Sequence, residues 1–190
     1  MAKQLGRQFY LKPPLIIAKE LLGKYLVHQT SHKKYVGKIV ETEAYPGPQD
    51  LASHARHNKI TPRNLAEYMI GGHIYIYLVY GMYWQLNIST GLSGRPECVL
   101  IRAIEPIEKN HIPTHLTNGP GKLCNYLRIN RRHYGLDLAT SREIWLEPGE
   151  KLLPKKIITA KRIGIDYAGP YWANKRWRFY IKNNHYVSKF

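Results

Sequence analysis

Two glutamates, Glu41 and Glu43, stand two residues apart in the apolar segment IVETEAY, residues 39–45. The segment has the character of a β-strand, in which residues i and i+2 face the same side, so both carboxylates and Tyr45 share one face. Their backbone positions are about 6.6 Å apart at a rise of roughly 3.3 Å per residue. Inverting glycosidases hold their two carboxyl groups about 6.5–9.5 Å apart. The pair therefore indicates attack on an anomeric carbon by a carboxylate-activated water, in a sugar polymer or in a nucleoside within DNA.

A second interpretation of this pair requires no chemistry. Two acids on an edge strand can bond to neighbouring Lys or Arg side chains, and Lys38 and several basic stretches of the chain supply such partners. The strand pattern by itself does not distinguish which glutamate would act.

The charge of the chain favours a nucleic acid as the partner. There are 29 Lys and Arg against 13 Asp and Glu in 190 residues, and the net charge is +16, which is more than solubility requires. Three basic stretches without acids can form one phosphate-binding face or a merely solvated surface: residues 51–66, 109–136 and 167–190. The aromatic residues between Tyr75 and Trp84 support the first interpretation because bases stack on rings, although strand aromatics also build cores.

Other function classes are disfavoured by what the chain lacks. No run of about 20 apolar residues predicts a membrane span, and the first residues do not match a signal peptide. Cys98 and Cys124 form neither a disulfide framework nor a zinc motif and are expected to be reduced and buried. We therefore expect no metal, no cofactor and no membrane partner, and a cytoplasmic location, at the nucleoid in a bacterial cell.

The elements that must position the glutamates follow from periodicity and turn residues. The length predicts one domain, residues 1–190. Helical, strand and turn patterns predict the elements in order. The first part of the chain is predicted to form a helix over residues 14–27, a strand over 36–45 and an irregular segment over 50–72 with a short helix near 64–69. It is followed by a hairpin of 74–80 and 83–89 that turns at Gly81, a strand over 98–104, a helix over 122–127 and strands over 162–165 and 177–181. This order predicts an α+β fold, with a curved, largely antiparallel sheet and flanking helices.

Six segments carry a resemblance to a known family. They occur in the order GKIVETEAYPGPQDLASHA, TPRN, YIYLVYGMYWQLNIS, VLIRAIEP, NGPGKLC and RFYI. Together they resemble the alkyladenine (3-methyladenine) DNA glycosylase family over about residues 8–188. The resemblance implies a monomeric, monofunctional enzyme of base excision repair that binds double-stranded DNA containing damaged purines. It also implies a protruding, DNA-inserting β-hairpin, base flipping, and hydrolysis of the N-glycosidic bond of 3-methyladenine, 7-methylguanine, hypoxanthine and ethenoadenine nucleotides by water.

The resemblance assigns catalytic roles to two residues. Glu43 matches the general base, which accepts a proton from the water that attacks C1′. Arg102 matches the residue that positions this water, and its charge would help to keep Glu43 ionised. Glu41 is then left as a structural ion-pair partner.

The resemblance assigns four residues to a base pocket. Tyr45 and Tyr77 match aromatic residues on the two sides of the flipped base. His54 matches a histidine at the 6-position edge of the purine. Asn87 matches a residue of the pocket floor that opposes the 2-amino group of ordinary guanine, which is discrimination by an unfavourable contact.

The remaining expected sites contact DNA. Tyr80, at the hairpin tip, matches the residue that fills the gap left by the flipped nucleotide, and Met82 lies beside it as a second intercalating residue. The expected phosphate contacts are Arg56, Lys59, Arg63, Lys122 and Arg128. Two alternatives remain. The glutamates argue against a passive nucleic-acid-binding module, and the +16 charge argues against a carbohydrate hydrolase.

Overall fold

The computed structural model describes residues 4–108 and 110–189. Lys109, the first residue of the basic stretch 109–136, and Phe190, the last residue of the stretch 167–190, therefore lie outside the described residues. Within the described residues the chain forms eight strands and four α-helices. Strands β1 to β8 are Tyr25–Gln29, Lys34–Tyr45, Ile74–Val79, Tyr83–Ser89, Cys98–Pro106, Ile144–Glu147, Ile157–Ala160 and Arg178–Ile181. Helices α1 to α4 are Arg7–Tyr10, Pro14–Glu20, Pro120–Leu127 and Pro170–Ala173. The α+β class is confirmed.

All strands belong to one sheet, whose main path runs β3-β4-β5-β2-β1-β6, with β8 pairing to β2 and β7. Every pairing in the described part of the chain is antiparallel, as predicted. β2 is flanked along its length by β5, while β1 pairs with its first part and β8 with residues 41–43. The glutamates are therefore on a central stretch of the sheet and not on an edge, which explains why both are buried.

One main hydrophobic cluster holds the helices against the sheet. Ile17, Ile39 and Leu123 are fully buried members of it, contributed by α2, β2 and α3 respectively. The hydroxyl of Thr42 donates a hydrogen bond of 2.7 Å to the carbonyl of Ala18 and joins β2 directly to α2. The side of β2 that faces α2 is thus fixed by packing, which leaves the glutamates on the opposite side.

The helix predicted over residues 14–27 is only partly correct. It ends at Glu20, and residues from Tyr25 onward form β1. Gly23 has a φ of +82°, and a β-carbon there would lie 2.6 Å from the carbonyl oxygen of Glu150. Leu26 has helical spacing from the preceding leucines, yet it is buried in a strand between β2 and β6.

The strand predicted over residues 162–165 is wrong, because this segment is a loop. The side chain of Arg162 reaches inward and forms a fully buried ion pair with Asp50. Other expectations hold: the hairpin, β5 and β8 lie where predicted to within a few residues, and Cys98 and Cys124 are free and buried. Among the described residues no helix is long and apolar enough to cross a membrane.

Candidate active site

The position of Arg102 depends on irregular pairing between β2 and β5. The register shifts twice around Glu41, so that Val40 on β2 and Arg102 on β5 have no directly paired residue. Such bulges re-aim side chains and are frequent beside active sites. The Nε of Arg102 lies 3.2 Å from Oε1 of Glu41 and its Nη1 lies 3.3 Å from Oε1 of Glu43. One guanidinium therefore bridges both carboxylates, which share a face as predicted.

Glu41 has the contacts of a structural residue. It is fully buried and accepts hydrogen bonds from Nη1 of Arg178 at 2.9 Å and from the backbone N–H of Ser188 at 2.7 Å, in addition to Arg102. Both of its oxygens are thereby used. The carboxylate joins β2, β5, β8 and the C-terminal segment, in agreement with the predicted ion-pair role.

Besides Arg102, Glu43 has one partner from β2 and one from the loop that follows β7. Its Oε1 accepts a hydrogen bond of 2.8 Å from the backbone N–H of Ile163, and its Oε2 accepts one of 2.8 Å from the hydroxyl of Tyr45. Burial, followed by the charge of Glu43, raises the pKa of Tyr45 well above its ordinary value, so this hydroxyl keeps its proton and donates. These bonds and the adjacent Arg102 offset the cost of burying the carboxylate.

The cation beside Glu43 is permanent. Burial by itself would lower the pKa of Arg102, but the carboxylates of Glu43 and then Glu41 outweigh it and the pKa is raised. The site therefore places a fixed positive charge within 3.3 Å of the predicted base. A water molecule beside Arg102 and Glu43 would meet a hydrogen-bond donor and an acceptor.

A cavity of about 690 Å³ lies beside the residues that hold this carboxylate. This volume is within the range of roughly 300–1,000 Å³ that is usual for small-molecule sites. Glu43 itself lies fully buried behind the cavity wall. The wall includes the three residues that touch its carboxylate and the other predicted pocket residues: Tyr45, Arg102, Ile163, His54, Tyr77 and Asn87. The structure thus brings all of the predicted pocket residues together.

Cation–π contacts hold the two predicted stacking rings. The Cζ of Arg162 lies 4.6 Å from the ring centroid of Tyr45, and the Cζ of Arg63 lies 5.0 Å from that of Tyr77. The ring of His54 also contacts Tyr77, with centroids 4.5 Å apart and planes at 71°. Rings fixed in this way lose little further freedom when a ligand binds.

His54 is a neutral hydrogen-bonding group. Its Nδ1 lies 2.5 Å from the hydroxyl oxygen of Tyr75. Burial, and then the charges of Arg63 and Arg56, lower the pKa of His54 to about 4. At neutral pH the ring therefore carries one N–H and one lone pair for Tyr75 and for a ligand.

Asn87 is oriented by the backbone of the hairpin. Its Nδ2 donates to the carbonyls of Tyr75 at 3.2 Å and Gln85 at 3.1 Å. Both amide hydrogens are thereby used, and Oδ1 is left as an acceptor beside the thiol of Cys98 at 3.9 Å. A side chain held by two such bonds presents a fixed surface to the cavity.

The hairpin tip is the most exposed apolar feature near the cavity. Tyr80 and Gly81 have φ values of +52° and +69°, as in a type I′ turn. The side chain of Tyr80 borders the cavity, and the residue is 87% exposed, while Met82 is 61% exposed. Tyr80 is therefore not a buried strand aromatic.

The predicted phosphate-binding residues are only partly grouped. Arg56 and Arg63 line the cavity, and Lys59 is exposed between them in the chain. Lys122 lies in the first turn of α3, next to Gly121, which packs against Tyr83 near the tip of the hairpin. Arg128 caps the opposite end of α3 and lines a separate groove.

Three contributors to the site were missed by the sequence patterns. Arg162 supports Tyr45, the backbone of Ile163 binds Glu43, and Glu67 lines the cavity floor. The first two lie in the loop mistaken for a strand, and a backbone N–H has no sequence signal. The position of Glu67 in the sequence does indicate a role, because it is an isolated acid between basic and aromatic stretches.

Comparison with known proteins supports the family that the motifs indicate. Residues 8–185 match the model of the methylpurine-DNA glycosylase family. A protein of Natranaerobius thermophilus is 41% identical over 196 aligned positions, covering 97% of this chain and 98% of the relative. Relatives from Borreliella burgdorferi and Methanocella arvoryzae are 43% and 45% identical, covering 97% of this chain and 100% and 96% of their own lengths. All three provisionally bear the name 3-methyladenine DNA glycosylase.

Proposed function

The chain belongs to the methylpurine-DNA glycosylase family, and from this premise we propose that it is a monofunctional DNA glycosylase that starts base excision repair. Its substrates are alkylated or deaminated purines in duplex DNA: 3-methyladenine, 7-methylguanine, hypoxanthine and ethenoadenine. The observation that carries the proposal is the buried carboxylate of Glu43, held by Arg102, Tyr45 and Ile163 at the wall of an aromatic cavity of about 690 Å³.

The proposed reaction is hydrolysis with Glu43 as the general base. A water positioned by Arg102 attacks C1′ of the flipped nucleotide and gives a proton to Glu43. The bond from C1′ to the purine nitrogen breaks, the electron pair leaves with the base, and an abasic sugar remains. In the described part of the chain the cavity wall contains arginines but no lysine, which favours water over an amine nucleophile.

The pocket residues bind and select the base in this proposal. Tyr45 and Tyr77 stack on the purine, a contact worth roughly 1–3 kcal/mol per base, and their rings also attract cationic purines. His54 bonds the 6-position edge as a neutral imidazole. Asn87 stands against the 2-amino group of ordinary guanine.

The hairpin and the surface cations bind the duplex. Tyr80 fills the gap left by the flipped nucleotide, with Met82 beside it. Arg56, Lys59, Arg63 and Lys122 contact phosphates near the hairpin. Arg128, separated from Lys122 by most of α3, would contact a phosphate further along the duplex.

The proposed unit is one chain, because a single copy contains the cavity, the hairpin and the cations. We therefore propose a monomer in which residues 1–190 act as a single glycosylase domain. The activity places the protein with the chromosome, and the proposed reaction requires no metal or cofactor.

The decisive experiment compares Glu43→Gln with Glu41→Gln and the wild type. Single-turnover release of hypoxanthine from an inosine-containing duplex, and of 3-methyladenine from alkylated DNA, is measured together with Tm. Glu43→Gln is expected to keep its fold and lose about 10²–10⁴-fold in rate. Glu41→Gln is expected to lower Tm and to retain activity in its folded fraction.

Two results would contradict the proposal at different levels. An active Glu43→Gln together with a folded but inactive Glu41→Gln would show that the base is the other carboxylate. A folded wild-type protein that releases no base from either DNA would refute the glycosylase activity itself.

A further inference from the structure

A group of three potential metal ligands lies apart from the residues that line the cavity. His28 belongs to β1, His133 to the 3-10 turn Arg131–His133, and Glu143 directly precedes β6. The Oε1 of Glu143 is 3.5 Å from Nε2 of His28 and 3.3 Å from Nε2 of His133. All three ligand atoms lie within 4.8 Å of one another. The sequence patterns singled out none of these residues.

The tautomer of His28 directs a lone pair into this cluster. Its Nδ1 is 2.6 Å from the carbonyl oxygen of Leu127, which can only accept, so Nδ1 carries the hydrogen. In the neutral ring, Nε2 is then an acceptor. This atom is buried and has no hydrogen-bond partner in the described part of the chain. A buried acceptor without a partner is costly unless a donor or a cation occupies the space beside it.

His133 is oriented in the same way. The Nε–H of Arg132 donates to Nε2 of His133 at 3.0 Å, so Nδ1 carries the hydrogen and donates to the carbonyl of Asn130 at 3.1 Å. In the other tautomer Nδ1 accepts a hydrogen bond of 3.0 Å from the backbone N–H of Asn130 and completes the capping box of this turn, so metal binding at Nε2 requires the first tautomer.

We propose that His28, His133 and Glu143 bind a divalent transition-metal ion, Zn²⁺ in preference, with a water molecule as the fourth ligand. Two imidazoles and a carboxylate are a known zinc donor set. Zn–N and Zn–O distances of about 2.0–2.2 Å place tetrahedral ligands about 3.3–3.6 Å apart, which includes the two separations from Glu143. Both histidines also donate their second N–H to a backbone carbonyl, as zinc-bound histidines do.

Arg132 provides the positive charge of the cluster in the metal-free protein. Its Nη2 lies 3.1 Å from Oε1 of Glu143, and its side chain is 60% exposed. The guanidinium can therefore leave into solvent when a metal ion replaces it. Because the three ligands come from β1, the turn before Tyr134 and the start of β6, the ion would connect segments more than 100 residues apart in the chain.

Titration of the metal-stripped full chain with ZnCl₂ and CoCl₂ tests this proposal. One-to-one binding is expected by calorimetry, with the visible absorption of tetrahedral Co²⁺. Zinc at about 100 times Kd should raise Tm by roughly 5–10 °C. Glu143→Gln changes an accessible ligand, and His133→Gln is the second variant; each should weaken binding at least about 10-fold. Glu147→Gln, an acid on β6 outside the cluster, is the matched control.

Arg132→Ala gives a readout that a structural role of the cluster would not produce. Removing the competing guanidinium should tighten zinc binding several-fold. The proposal is overturned if the wild type shows no saturable binding, or if Glu143→Gln and His133→Gln bind zinc as the wild type does. Base release should be the same with and without a chelator, because the ion is not part of the cavity.

A second inference concerns Glu67, in the 3-10 turn Leu65–Tyr68. The residue lines the cavity floor yet is only 1% exposed. Its Oε1 accepts from the thiol of Cys98 at 3.3 Å, while its buried Oε2 has no hydrogen-bond partner among the described residues. Burial raises the pKa of Glu67 to about 7. A carboxyl group in the cavity wall whose oxygen has no partner can bind a ligand that reaches it.

From this geometry we infer that Glu67 contacts the flipped base and favours cationic purines over neutral ones, which rests on the proposed function. Methylation at N3 or N7 leaves a positive charge on the purine ring of the nucleotide, whereas hypoxanthine and ethenoadenine are neutral. A carboxylate in a poorly solvated cavity attracts the positively charged methylated purines strongly. The base would at the same time provide the missing partner of Oε2.

The ratio of 7-methylguanine to hypoxanthine release measures this selection. Glu67→Gln keeps the shape and removes the charge, so the ratio should fall about 10-fold, which corresponds to about 1.4 kcal/mol. Glu67→Met is the second variant and should show the same fall. Glu97→Gln, a half-buried acid in the loop before β5, is the control. An unchanged ratio in active, folded variants refutes the role of Glu67 alone, while a wild type that releases neither base refutes the proposed function.

Discussion

Glu41 and Glu43 have the same side chain on the same face of one strand, and their partners separate their roles. Glu41 is enclosed by Arg102, Arg178 and the backbone of Ser188. Glu43 meets a hydroxyl and a backbone N–H at the wall of a cavity. Both carboxylates contact Arg102, but only the other partners of Glu43 line the cavity.

The structural role of Glu41 leads to a prediction for stability. Glu41→Ala leaves the buried guanidiniums of Arg102 and Arg178 without a shared partner, and breaking such a buried pair costs about 3–5 kcal/mol. Urea denaturation should report this loss of unfolding free energy. Glu150→Ala removes an exposed ion pair with Lys156 and should leave the midpoint unchanged. Equal midpoints for the two variants would contradict the structural role.

Glu67 predicts a pH-dependent stability difference. Its pKa is raised from 4.5 to about 7 in the folded state by burial, so the folded protein holds this proton more tightly than the unfolded chain. The resulting stability is present below pH 4.5 and is lost as the pH rises through 7. Between pH 4.5 and pH 8, the free energy of unfolding of Glu67→Gln should therefore rise by about 3 kcal/mol relative to that of the wild type. Thermal unfolding at both pH values measures this, and a constant difference would contradict it.

At the scale of elements, the hairpin of β3 and β4 combines a packed base with an exposed tip. Near its base the amide of Asn87 donates to the carbonyl of Tyr75, and both residues line the cavity, while Tyr80 at the tip is 87% exposed. An aromatic ring with so little burial contributes little to folding. Its exposure therefore fits a role outside the protein core.

The exposed tip predicts that Tyr80→Ala keeps its fold and loses activity on duplex DNA. Tm should change little, while single-turnover release of hypoxanthine from a duplex should fall about 10–100-fold, because no side chain then offsets a few kcal/mol of unstacking. Release from single-stranded DNA should change less. Leu92→Ala, an exposed apolar residue of another loop, is the control. Unchanged turnover on duplex DNA would refute the wedge role.

At the scale of the whole molecule, the net charge of +16 is divided between interior and surface. Arg102, Arg162 and Arg178 are buried and pair with acids. The cations around the cavity and the hairpin remain available to a polyanion, and they surround the opening through which a base would enter.

This distribution predicts a steep salt dependence of DNA binding. Five phosphate contacts imply a slope of about −4 to −5 in log K against log salt. Lys122→Gln should make the slope less steep by about one unit. Lys155→Gln, on the exposed turn Pro154–Lys156, should leave it unchanged. A flat response in the wild type would contradict the electrostatic binding face.

Features that depend on residues close together in the chain could be predicted from the sequence. Strand alternation in β2, the turn at Gly81 and the order of the family motifs are local patterns, and they identified the pocket residues that the cavity brings together. The boundary of α2 was missed because Gly23 meets Glu150, more than 100 residues later.

Only the tertiary structure decided which groups surround each carboxylate. The bulges that aim Arg102, the backbone of Ile163 against Glu43, and the meeting of His28 with His133 and Glu143 all depend on strand register and on contacts between distant segments. Such contacts form only when burial of the whole core fixes the chain, so no local pattern records them. The sequence motifs therefore determined the family, while the fold decided that Tyr45 and Ile163, which bind Glu43, line the cavity.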